Sequence, residues 1–129
     1  MDQAEREAAL KAGIELFDGG RYLAAHELFE ELWEDTQGPE SDFYKGLLQA
    51  AVALHHFEQG NLDGAAKLHG GSRRCLAAYL PTHAGLDLGR FLGEMQAWLR
   101  AVQKRQPGTV IRFDPGSRPR LEPERADQA

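Results

Sequence analysis

The amino-acid sequence predicts an all-α fold: a compact bundle of about five helices built on two repeated helical hairpins, with an extended Pro-rich C-terminal tail. The main observation is an internal repeat, because residues 17–28 and 57–68 follow one pattern 40 positions apart. Each copy has the end of one helix, a glycine turn and the small-residue start of a second helix. Hairpins that repeat in this way pack against each other, so the repeat defines the architecture.

Matching positions of the two copies carry residues of similar kind. The pairs are Phe17 with Phe57, Gly20 with Gly60, Tyr22 with Leu62, Ala25 with Ala65 and Leu28 with Leu68. Because both copies keep an aromatic residue before the turn and alanine after it, we expect two similar helix–turn–helix units.

Two helices form the first predicted hairpin. The first runs from about Ala4 to Asp18 and ends at a glycine pair, which takes the left-handed cap conformation at low cost. Its apolar face consists of Leu10, Ile14 and Phe17. The second helix runs from about Tyr22 to Asp35, before the breaker Gln37-Gly38-Pro39. Its buried stripe consists of Ala25, Leu28, Phe29, Leu32 and Thr36.

The third predicted helix starts between Pro39 and Ser41 and ends near Gln59. Apolar residues cover most of its circumference, which is typical of a buried central helix. Gly46 and four alanines would let neighbouring helices approach it closely.

The second half of the chain predicts two more helices. A fourth helix is expected from about Leu62 to Tyr79, with a kink or short break at Gly70-Gly71, because glycine costs roughly 1 kcal/mol against alanine inside a helix. A loop from Pro81 to Gly85 precedes a fifth helix from about Asp87 to Arg105. These elements complete a helical domain over residues 1–106.

From Pro107 the composition changes, and residues 107–129 are predicted to form an extended or disordered tail. Four prolines and two glycines forbid another long helix there. Residues 110–113 could lie extended along the surface, and the chain is predicted to be disordered from about Arg118.

The bulk composition excludes several classes of protein. A formal charge of -5 argues against a nucleic-acid binder. No run of 18 apolar residues exists, so no membrane span is expected, and the acidic start lacks the pattern of a secretion signal. Cys75 is the single cysteine and cannot form an internal disulfide, so the cytoplasm is the expected compartment.

The densest polar cluster lies on the second helix, between His26 and Glu34. His26 and Glu30 are four residues apart and therefore neighbours, with Trp33 beside them, whereas Glu27 points further towards solvent. An imidazole and a carboxylate at a packed edge could bind a metal or move a proton. The alternative is a surface helix with an ordinary His–Glu pair and a core tryptophan. The pattern matches neither the His-Glu-x-x-His zinc motif nor the Glu-x-x-His motif of di-iron bundles.

A second polar set lies on the third helix, where Gln49 and His56 are two turns apart and share a face, with Lys45 and His55 nearby. Polar groups on so apolar a helix need partners. Either they hydrogen-bond to the second helix and define its register, or they contribute to a ligand site.

Antiparallel packing of the second and third helices would bring His26 and His56 to the same level. A cluster of His26, Glu30, Gln49 and His56 is therefore geometrically allowed. In its metal-binding form, His26, Glu30 and His56 would hold a divalent zinc, manganese or iron ion.

Several motifs together resemble a known family. They are His26-Glu27-x-x-Glu30-x-x-Trp33, Gly46-Leu47-Leu48-Gln49-x-Ala51, His55-His56 and Gly60-Asn61-x-x-Gly64-Ala65. In this order and spacing they resemble the bacterial and archaeal family called domain of unknown function 309, over about residues 17–68. The resemblance implies a small all-helical domain but no reaction. Its motif residues, matched one by one, are His26, Glu27, Glu30, Trp33, Gln49, His56, Gly60 and Asn61.

Two functions follow as hypotheses. The first is a protein-interaction or ligand-binding module, because stacked helical hairpins present binding surfaces. The second is a metal-dependent hydrolase or metal-binding protein that uses the His/Glu cluster, Glu27 included, between the second and third helices. We expect neither nucleic acid nor a membrane as partner, whereas a protein partner and a homodimer are both compatible with such a domain.

Overall fold

The computed structural model describes residues 1–103 and 118–122, which form five α-helices, one 3-10 turn and one short β-hairpin. In chain order the elements are α1 (Gln3–Asp18), α2 (Tyr22–Asp35), α3 (Ser41–Glu58), α4 (Leu62–Leu76), the 3-10 helix Ala77–Tyr79, β1 (Thr82–His83), β2 (Leu86–Asp87) and α5 (Leu88–Gln103). The all-α fold and its two repeated hairpins are confirmed.

The two hairpin turns repeat in structure as they do in sequence. Gly20 and Gly60 take almost the same left-handed backbone, with φ of 80° and 79°. This conformation is cheap only for glycine, so each turn depends on it. The helices that follow begin differently, since the Asn61 side chain accepts a hydrogen bond from the Gly64 N–H at 3.0 Å, whereas no side chain caps α2.

The predicted central position of α3 is confirmed. Nine of its residues are buried, and it packs against α2 on one side and α4 on the other. Gly46 makes the α4 contact close, because a Cβ added there would lie 2.5 Å from the Leu76 Cγ. Ser72 of α4 also donates a hydrogen bond to the Gly46 carbonyl at 2.7 Å. The small residues of α3 therefore bring the two hairpins together.

Of the kink or short break expected at Gly70-Gly71, the break is wrong, because α4 is helical through both glycines. Gly71 is buried against α3, and a Cβ there would lie 2.9 Å from the Gln49 amide nitrogen. Packing against α3 thus outweighs the low helix propensity of glycine. The α-helix ends at Leu76 instead of Tyr79 and continues as the 3-10 turn.

The predicted loop after α4 contains a two-stranded antiparallel hairpin. Thr82 pairs with Asp87 and His83 with Leu86, across a turn in which Ala84 and Gly85 both have positive φ. The His83 ring packs edge-on against Phe43, with ring centroids 4.6 Å apart, and its Nε2 lies 2.9 Å from a Glu40 oxygen. The hairpin is thereby anchored to the start of α3.

Helix α5 closes both hairpins. Phe17 of the first repeat meets Phe91 with ring centroids 5.6 Å apart, and the matching Phe57 stacks on Trp98 at 4.2 Å. Phe91 and Trp98 are two helical turns apart on α5, so one helix face serves both copies of the repeat. Burial of Phe17 and Phe57 is almost complete, at 0% and 1% exposure.

Residues 118–122 pack against the helical domain without forming a helix or strand. Leu121 is 1% exposed and belongs to the main apolar core. The expectation of disorder from about Arg118 is therefore wrong for these five residues, because side chains of α1 and α5 bind their backbone. The extended run expected over residues 110–113 lies outside the described residues.

None of the helices in the described part of the chain combines the length and apolar character that a bilayer span requires.

Candidate functional site

The predicted pair on α2 forms as expected. The His26 Nε2 lies 3.6 Å from a Glu30 carboxylate oxygen, one helical turn away. The side chains are 26% and 42% exposed, so the pair is worth only a few tenths of a kcal/mol. The other ring nitrogen of His26 is buried and has no hydrogen-bond partner among the described residues.

Gln49 faces α4 and not α2. Its side-chain oxygen accepts a long hydrogen bond from the Cys75 thiol at 3.5 Å, and the missing side chain of Gly71 leaves room for its amide. The interpretation that Gln49 hydrogen-bonds to the second helix is therefore wrong. Gln49 contributes to the contact between the two hairpins instead.

His56 lies at the C-terminal end of α3 and faces the turn that follows. Its Nδ1 is 3.4 Å from the Asn61 amide nitrogen, which places an imidazole nitrogen against the cap of α4. The two family-motif residues His56 and Asn61 thus meet at the second repeat turn.

The proposed four-residue cluster therefore divides among three places. His26 and Glu30 pair along α2, Gln49 faces α4, and His56 faces the second turn. Among the residues that the structure describes, no three His, Cys, Asp or Glu side chains are arranged to hold one metal ion. Within the described residues, His26, Glu30 and His56 are therefore not assembled as the ligands of one metal ion.

Glu27 lines a surface cleft of about 410 Å³ between the start of α2 and the end of α3. The cleft is lined by Gly20, Arg21, Tyr22, Leu23, Ala24, Glu27, His55 and Glu58. Glu27 is exposed, as its outward position on the helix predicts. Partial burial raises the pKa of Glu58, an effect that the charges of His55 and Arg118 partly offset.

Trp33 is half-buried at the edge of the main core rather than inside it. We expect Trp33→Ala to lower the free energy of unfolding by about 2–3 kcal/mol, less than a fully buried aromatic residue would cost, because part of the ring already contacts water. Urea unfolding measures this loss, with the exposed neighbour Glu34→Ala as control. A loss below about 1 kcal/mol would contradict the packing of Trp33 on the core.

A different polar site lies where the C-terminal segment meets α1. Asp18, at the end of α1, is 8% exposed. Its two carboxylate oxygens accept hydrogen bonds from the backbone N–H groups of Leu121 and Glu122, at 2.7 and 3.0 Å. Burial raises the pKa of Asp18, and the two N–H groups act in the opposite direction. The Asp18 carboxylate therefore accepts two hydrogen bonds from a peptide backbone, one through each oxygen.

Arg90 of α5 binds the carbonyl side of the same segment. Its Nη2 donates to the carbonyl oxygens of Arg120 and Leu121, both at 2.9 Å. Its Nη1 pairs with the Glu94 carboxylate one helical turn further along α5, which orients the guanidinium. Asp18, Arg90 and the apolar slot that holds Leu121 are called the backbone clamp below.

Arg118 is the first residue of the segment and lies over the first repeat turn. Its guanidinium lies where a side chain on Gly20 would be, so this glycine provides room as well as a left-handed backbone. Burial raises the pKa of Tyr22 to about 12, although the nearby Arg118 charge opposes the increase. The segment thus covers the turn between α1 and α2.

Sequence reasoning assigned no role to Asp18 or Arg90. One local signal points to Asp18, since a carboxylate in the last turn of a helix opposes the helix dipole and needs a compensating partner. No comparable signal marks Arg90, because an Arg–Glu pair four residues apart is common on exposed helices.

Comparison with known proteins supports the family resemblance over part of the chain. The family model described as Domain of unknown function (DUF309) matches residues 10–68, which include Asp18, Gly20 and the His26–Trp33 motif. The chain is 39% identical over 85 residues to "Uncharacterized protein YpuF" of Bacillus subtilis (strain 168), covering 64% of this chain and 49% of that protein. It is 33% identical over 99 residues to an "Uncharacterized protein" of Aquifex aeolicus (strain VF5), covering 75% of this chain and 28% of that protein. The matches thus span half or less of these relatives, and the resemblance to the DUF309 family is confirmed over residues 10–68.

Proposed function

We propose that this protein is a protein-interaction module, and that the backbone clamp docks a short non-helical segment of a partner protein. The observation that carries the proposal is a set of four backbone hydrogen bonds at 2.7 to 3.0 Å: Asp18 accepts two from N–H groups, and Arg90 donates two to carbonyl oxygens. Backbone hydrogen bonds supply affinity for any peptide that adopts the same backbone shape, and an apolar slot adds selection for one side chain.

The chemistry of the clamp defines the partner segment. It needs a backbone bent as it is at residues 121–122, with a leucine-sized side chain at the position of Leu121, because that slot belongs to the main core. In the described structure the chain's own residues 118–122 occupy the clamp. A partner segment would therefore compete with them, and the intramolecular segment would regulate access.

Peptide binding tests this proposal on the full chain. The probe is a fluorescent peptide with the sequence of residues 116–124, and the acceptor is the Leu121→Ala variant, whose own segment no longer fills the slot. We expect fluorescence anisotropy to detect binding to Leu121→Ala at least about tenfold tighter than to the unaltered chain, a difference of about 1.4 kcal/mol. Adding Arg90→Ala to the variant should abolish the binding, because the carbonyl donors are then lost.

Lys67→Ala in the same background is the matched control, since it removes an exposed cation of α4 that takes part in no clamp hydrogen bond. Circular dichroism verifies that each variant is folded, and Leu121→Val replaces Leu121→Ala if the latter is not. No peptide binding to the folded variant, or equal binding with and without Arg90, would overturn the proposal.

A further inference from the structure

A groove of about 550 Å³ runs between α4 and α5, on a face that the backbone clamp does not use. Three glycines open it: Gly70 on α4, and Gly89 and Gly93 on α5. A Cβ added at Gly93 would meet no atom within 4 Å, so the space is open at that point. Its apolar wall is formed by Ala77, Leu80 and Leu92. The volume lies in the range that small-molecule sites occupy.

A smaller cavity of about 160 Å³ adjoins this groove and shares two lining residues with it, Arg73 and Gln96. Its other lining residues are Ala66, His69, Leu99 and Arg100. The two spaces together form a groove with one apolar half and one polar half, which we call the α4–α5 groove.

The charge of the α4–α5 groove is entirely positive. Arg73, Arg74 and Arg100 line it, and no carboxylate does. None of these three arginines forms an ion pair with another of the described residues. Three unneutralised guanidinium groups in one groove contrast with a formal net charge of -5 for the whole chain. Such a concentration of positive charge attracts anions.

His69 provides the second, independent observation. It is 7% exposed and lines the polar half of the groove, and neither ring nitrogen has a hydrogen-bond partner among the described residues. Burial, and then the Arg73 charge, lowers the pKa of His69, so the ring is neutral at pH 7 and keeps one N–H to donate. A buried polar group without a partner is costly and calls for an explanation such as a ligand.

We infer that the α4–α5 groove binds a small ligand that carries a phosphate group. Phosphate oxygens would accept hydrogen bonds from the Arg73 and Arg100 guanidinium groups. The His69 ring nitrogens are buried, so its N–H would donate to the same phosphate after the ring turns towards the groove. Arginine suits this ligand because its planar fork matches two phosphate oxygens at once. The apolar half, with Leu80 44% exposed, would cover an uncharged part of the same ligand. The inference is independent of the peptide-docking proposal, since the two sites share no residue.

Isothermal titration calorimetry of the full chain with phenyl phosphate tests the inference, with inorganic phosphate and phenol as the two partial probes. We expect phenyl phosphate to bind about tenfold tighter than inorganic phosphate, and phenol not to bind measurably. No heat of binding for phenyl phosphate up to about 10 mM, a concentration that would detect even millimolar affinity, would overturn the inference.

Variants locate the site. We expect Arg73→Gln and Arg100→Gln each to weaken phenyl phosphate binding about tenfold, or about 1.4 kcal/mol. Lys67→Gln removes an exposed cation of α4 outside the groove and should change the affinity by less than about twofold. Equal weakening by all three variants would mean only nonspecific attraction to positive charge and would contradict the site.

His69→Leu separates a ligand role from a packing role. The substitution removes both unpartnered nitrogens and keeps an apolar side chain of similar bulk, so thermal stability should stay equal or rise. Phenyl phosphate binding should still fall about tenfold, because the imidazole donor is lost. Unchanged binding in a folded His69→Leu protein would remove His69 from the site.

Discussion

We expect Leu121→Ala to lower the free energy of unfolding by about 2–5 kcal/mol, an effect typical of a buried core leucine. Leu121 is 1% exposed and packs in the same apolar core as residues of α1, α2, α3 and α5. The substitution removes three carbons from the core and leaves the backbone hydrogen bonds to Asp18 in place. Urea unfolding followed by circular dichroism measures the loss.

Glu122→Ala is the matched control for this prediction. Glu122 is exposed and contacts Asp18 through its backbone N–H, which the substitution keeps. We expect its effect to stay within about 0.5 kcal/mol. If both variants lost equally little free energy of unfolding, residues 118–122 would not be part of the folded core. The expectation of disorder from about Arg118 would then hold.

The matching aromatic residues of the two repeats give the second prediction. Phe17→Ala and Phe57→Ala should each lower the free energy of unfolding by about 3–5 kcal/mol, because both rings are buried and lose their contacts with α5. Phe17 also packs edge-on against Tyr22 at 5.2 Å, so its removal loosens the first turn as well. Thermal and urea unfolding measure both losses.

Leu23→Ala serves as control for these two variants, since Leu23 is a large apolar residue that is 53% exposed. It should cost well under about 1 kcal/mol, because little apolar area leaves the interior. A loss near that of the control for either phenylalanine would mean that α5 does not close that copy of the repeat.

Helix bounds follow closely from local signals in this chain. Gly19-Gly20 and Gly60-Asn61 end α1 and α3 near the predicted positions, because a left-handed glycine stops a helix whatever surrounds it. The His26–Glu30 pair is predictable for the same reason, since residues four apart on a helix are always neighbours. Both features depend on a few consecutive residues.

Features that depend on contacts between separate helices were not predictable from local sequence signals. The helical periodicity shows that Gln49 is a polar residue on an apolar helix, but its direction depends on the gap that Gly71 leaves on α4. The same holds at Gly70-Gly71, where propensity predicts a break and the contact with α3 keeps the helix continuous. A contact between distant elements outweighed a local preference of roughly 1 kcal/mol.

For this protein, sequence alone determines the helical class, the repeated hairpins and the DUF309 motifs, because these depend on periodicity and on glycine turns. Tertiary structure alone decides that Asp18 and Arg90 bind the backbone of residues 118–122, and that His69 and three arginines line one groove. The physical reason is that each site joins side chains from different elements, whose relative positions are determined by packing and not by local conformational preference.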